Sequence, residues 1–222
     1  IVNVFITGCS TGIGLAAAEH FTAKGYQVIA TARNPKSSER LQSLDQSNDS
    51  AMVLPLDVTD QASVDTTIKK VTDEVGAIDV LINNAAVLKT SDVVTTDGLD
   101  VRFVVNTLAP YLLTKKLLPL LKDSGRVINV ASAAQASVNF HALSGKAITL
   151  TDMEAYSQSK LALIMWSTTM SKQVNPNETI FVSVNPGSLL GTKMVRDAFN
   201  IEGKSISIGA NILVKLSLHY KS

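Results

Sequence analysis

Short apolar runs alternate with amphipathic stretches along this chain. The runs occupy residues 2–7, 26–31, 51–56, 78–83, 126–131 and 179–185; they are rich in Val, Ile and Leu and bounded by Gly, Asp, Asn or Pro. Unbroken apolar strands suit a parallel sheet covered on both faces. Between them the pattern becomes helical. Residues 13–24 place Ile13, Ala16, Ala17 and Phe21 on one stripe and stop at Gly25, a suitable closing residue. Residues 61–75 place Val64, Ile68, Val71 and Val75 on one face, with Asp60 as N-cap. Longer helices are expected over 98–122 and 155–174, and a last one over 205–220. The alternation has no internal repeat and no linker. It predicts an α/β fold, a doubly wound parallel sheet with helices on both faces, as a single domain over 1–222.

Composition narrows the function. A length of 222 residues suits one large domain, and 45% hydrophobic against 18% charged residues excludes a disordered chain. The mean hydropathy of +0.20 is high, as buried strands require. Lys and Arg total 20 against 19 Asp and Glu, a net charge of +1, which argues against a nucleic-acid or membrane-surface binder. Cys9 is the single cysteine, so no disulfide framework or cysteine-rich zinc site is expected, and a reducing, cytoplasmic setting fits. No apolar run approaches the roughly 20 residues of a membrane span. Sequons begin at Asn48 and Asn177 and read as chance matches without a secretory signal.

The first strand runs into Thr7-Gly8-Cys9-Ser10-Thr11-Gly12-Ile13-Gly14 and then directly into a helix. Glycines there let the backbone turn tightly and approach a phosphate, and a helix N-terminus supplies free N–H groups. The spacing is G-x-x-x-G-x-G, not G-x-G-x-x-G, so plain turn geometry stays open as an alternative. Residues 8–12 also fit the G-x-S-x-G elbow of serine hydrolases. An elbow needs an oxyanion loop from an earlier strand, and nothing precedes this one. His20, His141 and His219 are also poorly placed for a triad, and Gly14 would have no role.

The second strand ends Thr31-Ala32-Arg33-Asn34, with no carboxylate where an NAD site bonds the ribose 2′-hydroxyl. A guanidinium there favours a 2′-phosphate. NADP is therefore the expected cofactor, with NAD possible, and Lys36 and Arg40 are candidate helpers. The alternative is a solvated strand-end charge.

Tyr156 and Lys160 stand four residues apart at the start of a helical pattern, hence on one face. A phenol titrates near 10, too high for a general base at neutrality. Lowering it three units needs about 4 kcal/mol, which two close cations in a dry cleft would supply. Alone, Y-x-x-x-K is a weak pattern. It occurs here with Thr7-Gly8-x-x-x-Gly12-Ile13-Gly14, Asp57-Val58, Asn83-Asn84-Ala85-Ala86, Asn106, Ser132 and Pro186-Gly187, in that order over nearly the whole chain. So arranged, the chain resembles the short-chain dehydrogenase/reductase family, whose fold is Rossmann-type, and within it the retinol-dehydrogenase-like branch.

The resemblance implies hydride transfer between nicotinamide and a carbonyl/alcohol substrate, chemistry that needs no metal. Tyr156 would be the general acid or base, Lys160 would lower its pKa and bond the nicotinamide ribose, and Ser132 would orient the substrate oxygen. Asn106 would hold a water linking Lys160 to solvent. Gly8, Ser10, Thr11, Gly12, Ile13 and Gly14 would cradle the pyrophosphate. Asp57 would meet the adenine, with Val58, Asn84, Pro186 and Gly187 along the groove and Thr192 on the carboxamide. The same likeness implies a possible homodimer through the two long helices. A non-catalytic nucleotide sensor is the rival class; its usual mark, loss of the Tyr or Lys, is absent.

Departures from the family pattern are specific. Ala86 stands where glycine is usual, and Ala131 precedes Ser132 where a second serine is common. The interval from Ser132 to Tyr156 is long, so residues 133–155 read as an inserted loop bordering the substrate cleft, and His141 lies in it. Thr192 is one residue further from Pro186 than usual. The family pattern also adds a seventh, C-terminal strand that this sequence lacks, so the native protein is expected to run further.

Overall fold

The structure is a computed structural model that describes residues 2–47, 50–146, 149–175 and 179–218. The sequon asparagines Asn48 and Asn177, and His219, lie outside those residues. Six strands form one sheet in the order β3-β2-β1-β4-β5-β6, and every neighbouring pair is parallel. They are β1 (Asn3–Ile6), β2 (Gln27–Ala32), β3 (Ala51–Pro55), β4 (Ile78–Asn83), β5 (Leu121–Val130) and β6 (Thr179–Val184). Strand order reverses between β1 and β4, which opens a crevice at the carboxyl ends of the strands. No seventh strand occurs among the described residues.

The period-2 alternation of the strands divides the core into two layers. Val4, Ile6, Val28, Ala30, Val80 and Ile82 face one side. Helices α1 (Gly12–Ala23) and α9 (Ser207–Ser217) cover it with Ala17, Ala18, Phe21, Leu213 and Val214. Phe5, Ile29, Leu81 and Val127 face the other side. There α3 (Gln61–Glu74) and α5 (Ala109–Leu117) contribute Val64, Val71, Leu113 and Leu117. Asp60 caps α3 as expected, its carboxylate accepting the Ala62 N–H at 3.0 Å.

The helix expected over 98–122 is broken into pieces. Asp100 caps a short α4 (Val101–Phe103), a π-helical turn follows at Val104–Leu108, and α5 continues to a 3₁₀ turn at Leu118–Leu120. Pro110 is one cause: it has no N–H to return to the Asn106 carbonyl. The Ala109 N–H reaches back to the Val104 carbonyl instead. Pro119 tightens the far end, and β5 therefore starts earlier than expected, with a register shift between the Ile78 and Val80 pairings. The catalytic-candidate helix α7 (Asp152–Gln173) also starts earlier than expected. Thr151 and Glu154 form a reciprocal capping box there, a T-x-x-E signal present in the sequence. Helices α2 (Glu39–Ser47), α6 (Phe140–Leu143) and α8 (Lys193–Phe199) were not anticipated.

Candidate active site

The crevice holds a cavity of about 1020 Å³, at the upper end of the roughly 300–1,000 Å³ common for ligand sites. Its floor is a lock between the loops after β1 and β4. The Thr7 hydroxyl oxygen accepts the N–H groups of Asn84 and Ala85, both at 3.0 Å. The Asn84 amide donates to the carbonyls of Thr7 at 2.9 Å and Gly8 at 3.2 Å. This closeness explains the glycines. A Cβ on Gly8 would stand 2.8 Å from Ala85 Cα, and one on Gly14 would stand 2.4 Å from the Gly8 carbonyl oxygen. Gly12 needs its φ of +65°. Gly14 is thus an internal packing position, while Gly8, Ser10, Thr11, Gly12 and Ile13 line the cavity.

The N-terminus of α1 faces this space. Thr11 makes no side-chain cap and the first turn has no acidic residue, whereas α3, α6, α7 and α8 are capped by Asp60, Asn139, Thr151 and Thr192. Its leading N–H groups are therefore available to an anion. Cys9 is fully buried, and burial pushes its thiol up to about 12, so it is inert packing. Arg33 lines the rim beside Asn34 and Ser37, two residues the sequence argument did not single out. Arg40 does not join them: it makes a forked pair with Glu19, at 3.0 and 2.6 Å, and neither it nor Lys36 lines the cavity. Asp57 and Val58 line the wall, with one Asp57 oxygen taken by the N–H and hydroxyl of Thr59.

At the other end lie Ser132, Tyr156 and Lys160, the first just beyond β5 and the others on one face of α7. Lys160 is buried, its Nζ donating to the Val130 carbonyl at 2.7 Å and standing 5.7 Å from the centre of the Tyr156 ring. Burial lowers the Lys160 ammonium to about 8. Burial also raises the Tyr156 phenol, and a hydrogen bond with Ser132 pulls it back in part. The Lys160 ammonium, expected to lower it, is engaged here with the Val130 carbonyl.

Asn106 sits on the π-turn, outside the cavity wall. Its side-chain oxygen accepts the Val87 N–H at 2.8 Å, and its amide donates to Val87 O and Ser159 Oγ at 2.9 and 3.0 Å. With both ends of its side chain bonded to protein, Asn106 ties the loop after β4 to α7. The Thr192 hydroxyl oxygen accepts the Val195 N–H at 3.3 Å, and Thr192, Pro186 and Gly187 all line the cavity. His141 is exposed on α6 and does not line it. Sequence reasoning missed the apolar part of the cavity lining, which includes Leu88, Val101, Met153, Leu189 and Phe199. These residues come from separate helix ends and loops with no shared spacing.

A family profile described as short chain dehydrogenase matches residues 2–202. The chain belongs to this family. Among its short-chain dehydrogenase relatives, mouse retinol dehydrogenase 12 is 32% identical over 203 residues, covering 88% of this chain and 64% of that protein. The oxidoreductase calM of Penicillium decumbens is 33% identical over 197 residues, covering 83% and 60%. The chain thus spans less than two thirds of the curated relatives it matches. Among solved structures, an NADPH-bound carbonyl reductase from chicken fatty liver has a TM-score of 0.78 at 26% identity, over 97% of this chain and 90% of that one. A short-chain dehydrogenase from Streptomyces avermitilis has a TM-score of 0.76 at 27% identity, over 100% and 85%. A dinucleotide suits its cleft: the glycine turn gives close backbone approach, α1 offers uncapped N–H groups, and the cavity runs from Arg33 to Tyr156.

Gly14→Ala tests the lock. Its Cβ would also meet the Asn84 amide at 2.5 Å. The overpacking should cost about 1–3 kcal/mol and lower Tm by roughly 2–10 °C. Nucleotide affinity should fall with it, measured by thermal melts and by quenching of protein fluorescence.

Proposed function

We propose that this short-chain dehydrogenase is an NADP-preferring oxidoreductase acting on an apolar carbonyl/alcohol pair, with Tyr156 as the general acid and base. One observation carries it. A single cavity joins a glycine-cradled anion site, with Arg33 at one end, to a Ser132–Tyr156 hydrogen bond beside buried Lys160 at the other. The relatives named as retinol dehydrogenases and the NADPH-bound carbonyl reductase support the alcohol/carbonyl pair and the cofactor. Leu88, Val101, Met153, Leu189 and Phe199 support an apolar substrate.

A bound nicotinamide would supply or accept the hydride at the substrate carbon. This chain's residues handle the proton. In reduction, Ser132 donates to the carbonyl oxygen and fixes it beside Tyr156. The phenol, raised by burial, is protonated at neutral pH and gives its proton to that oxygen as negative charge develops there. In oxidation Tyr156 takes the proton back. The Lys160 ammonium, 5.7 Å from the ring centre, would favour the phenolate, and Asn106 would hold a water linking Lys160 to solvent. Ser10, Thr11, Gly12 and Ile13 would hold the pyrophosphate at the start of α1. Asp57, Val58 and Asn84 would hold the adenosine side, and Pro186, Gly187 and Thr192 the nicotinamide side. Residues 133–155, which include α6 and the start of α7, border the substrate end through Ala133, Ala134 and Met153. The chain acts as a single domain. The lone buried Cys9 favours a cytoplasmic setting. No described helix is long and apolar enough to cross a membrane. Leu112 on α5 and Met165 on α7, exposed by 51% and 44%, favour pairing of two copies there.

Tyr156→Phe should lower kcat for carbonyl reduction at least about 100-fold, the usual weight of a general acid, while the NADPH Kd changes less than about twofold. Near-normal kcat would remove Tyr156 from the mechanism. Arg33→Ala should raise the NADPH Kd about tenfold or more, as loss of a charge-assisted bond to phosphate does, and leave NADH nearly unchanged. Titration calorimetry with both nucleotides reads the difference, and equal effects would make Arg33 structural and favour the NAD alternative.

A further inference from the structure

Arg102 is 1% exposed, an unusual place for a guanidinium, and it is not part of the cavity wall. Its Nε and Nη2 fork onto the Asp100 carboxylate at 2.8 and 2.6 Å. Asp100 is itself the N-cap of α4 and accepts the Arg102 backbone N–H. The remaining arm, Nη1, crosses to the carboxylate of Asp152. Asp152 is the first residue of α7, where a negative charge is also favoured by the helix dipole.

The position of that contact matters. Further along α7, Ser159 is held from the same neighbouring segment: Thr107 Oγ1 donates to its carbonyl at 2.8 Å and Asn106 Nδ2 to its hydroxyl at 3.0 Å. Tyr156 lies between the two anchors, one helical turn after Asp152 and just before Ser159. Helix ends open first, and the leading N–H groups of α7 have only the Thr151 cap to hold them. The Arg102 bridge closes that end onto α4. It also ties Val101, which lines the cavity, to the helix that carries Tyr156.

We infer that the clamp of buried Arg102 between Asp100 and Asp152 is a positioning device for Tyr156. It fixes the first turn of α7 so that the phenol meets Ser132 and the substrate oxygen. The inference rests on the proposed role of Tyr156, and it acts on rate more than on nucleotide binding. A misplacement of about 1 Å in a reacting group can cost about 100-fold.

Asp152 is the residue to change, because its side chain is 42% exposed. Removing Arg102 would strand Asp100 and risk the fold. Asp152→Ala should lower kcat per nucleotide-binding site about tenfold, with the NADPH Kd within twofold of wild type. Asp152→Glu, which keeps the charge, should recover most of the rate, and Asp152→Asn should fall between. Using NADPH deuterated at C4, the isotope effect on kcat should rise in Asp152→Ala. Amide exchange at Ala155–Gln158 should accelerate about tenfold in the same variant, a readout that needs no turnover. A purely structural role would instead lower the folded fraction and leave kcat per site unchanged. Rate and exchange both within twofold of wild type would overturn the clamp. If wild-type protein reduces no carbonyl, the functional reading fails, while the exchange data alone still support or overturn the clamp.

Discussion

Thr7 and Asn84 hold two loops so close that side chains are excluded between them. The Thr7 hydroxyl takes two N–H groups of the loop after β4, and the Asn84 amide returns to the backbone on either side of Gly8. The contact sits where strand order reverses, so it fixes the floor of the crevice that this topology creates. Gly8 and Gly14 follow from it as steric necessities. The uncapped start of α1 is aimed across the same floor. The glycine turn is thus a consequence of one close approach, in which the Thr7 and Asn84 side chains satisfy backbone groups of both loops.

The reactive end obeys a different constraint. Tyr156 and Lys160 are buried on α7, and burial disfavours both of their charged forms. A neutral phenol beside Ser132 is ready to give a proton, which suits carbonyl reduction. Polar groups from the broken helix between β4 and β5 hold α7 on both sides of Tyr156. Its π-turn, widened where Pro110 withholds an N–H, brings Asn106 and Thr107 against Ser159, and Arg102 reaches Asp152. π-turns of this kind often mark functional sites.

Much of this was legible in the sequence. The apolar runs placed all six strands within a few residues, because parallel strands buried on both faces need no alternation to be seen. The ordered motifs brought Gly8, Gly12, Ser132, Tyr156 and Lys160 to one cavity. Other features were not legible. Arg40 carried the right charge near Arg33, but its partner Glu19 lies on another helix, and only the fold brings them together. The break at Val104–Leu108 was partly readable from Pro110. The start of α7 is readable from the Thr151 and Glu154 capping signal, a few residues before the start that the Tyr–Lys spacing suggests. The Arg102 clamp joins residues about fifty positions apart with no motif in common. The turn of Lys160 toward Val130 is a rotamer choice that sequence does not encode.

The central claim is that the cavity performs hydride transfer to a carbonyl and does not only hold a nucleotide. The most direct measurement is isotopic. The protein is incubated with NADPH carrying deuterium at C4, each hydrogen position labelled in turn, and a panel of apolar aldehydes and ketones, and the products are analysed by mass spectrometry. The account predicts one deuterium on the new carbinol carbon from one of the two labelled forms and none from the other. NADPH binding without deuterium transfer to any member of the panel would contradict it and leave a nucleotide-binding protein without turnover.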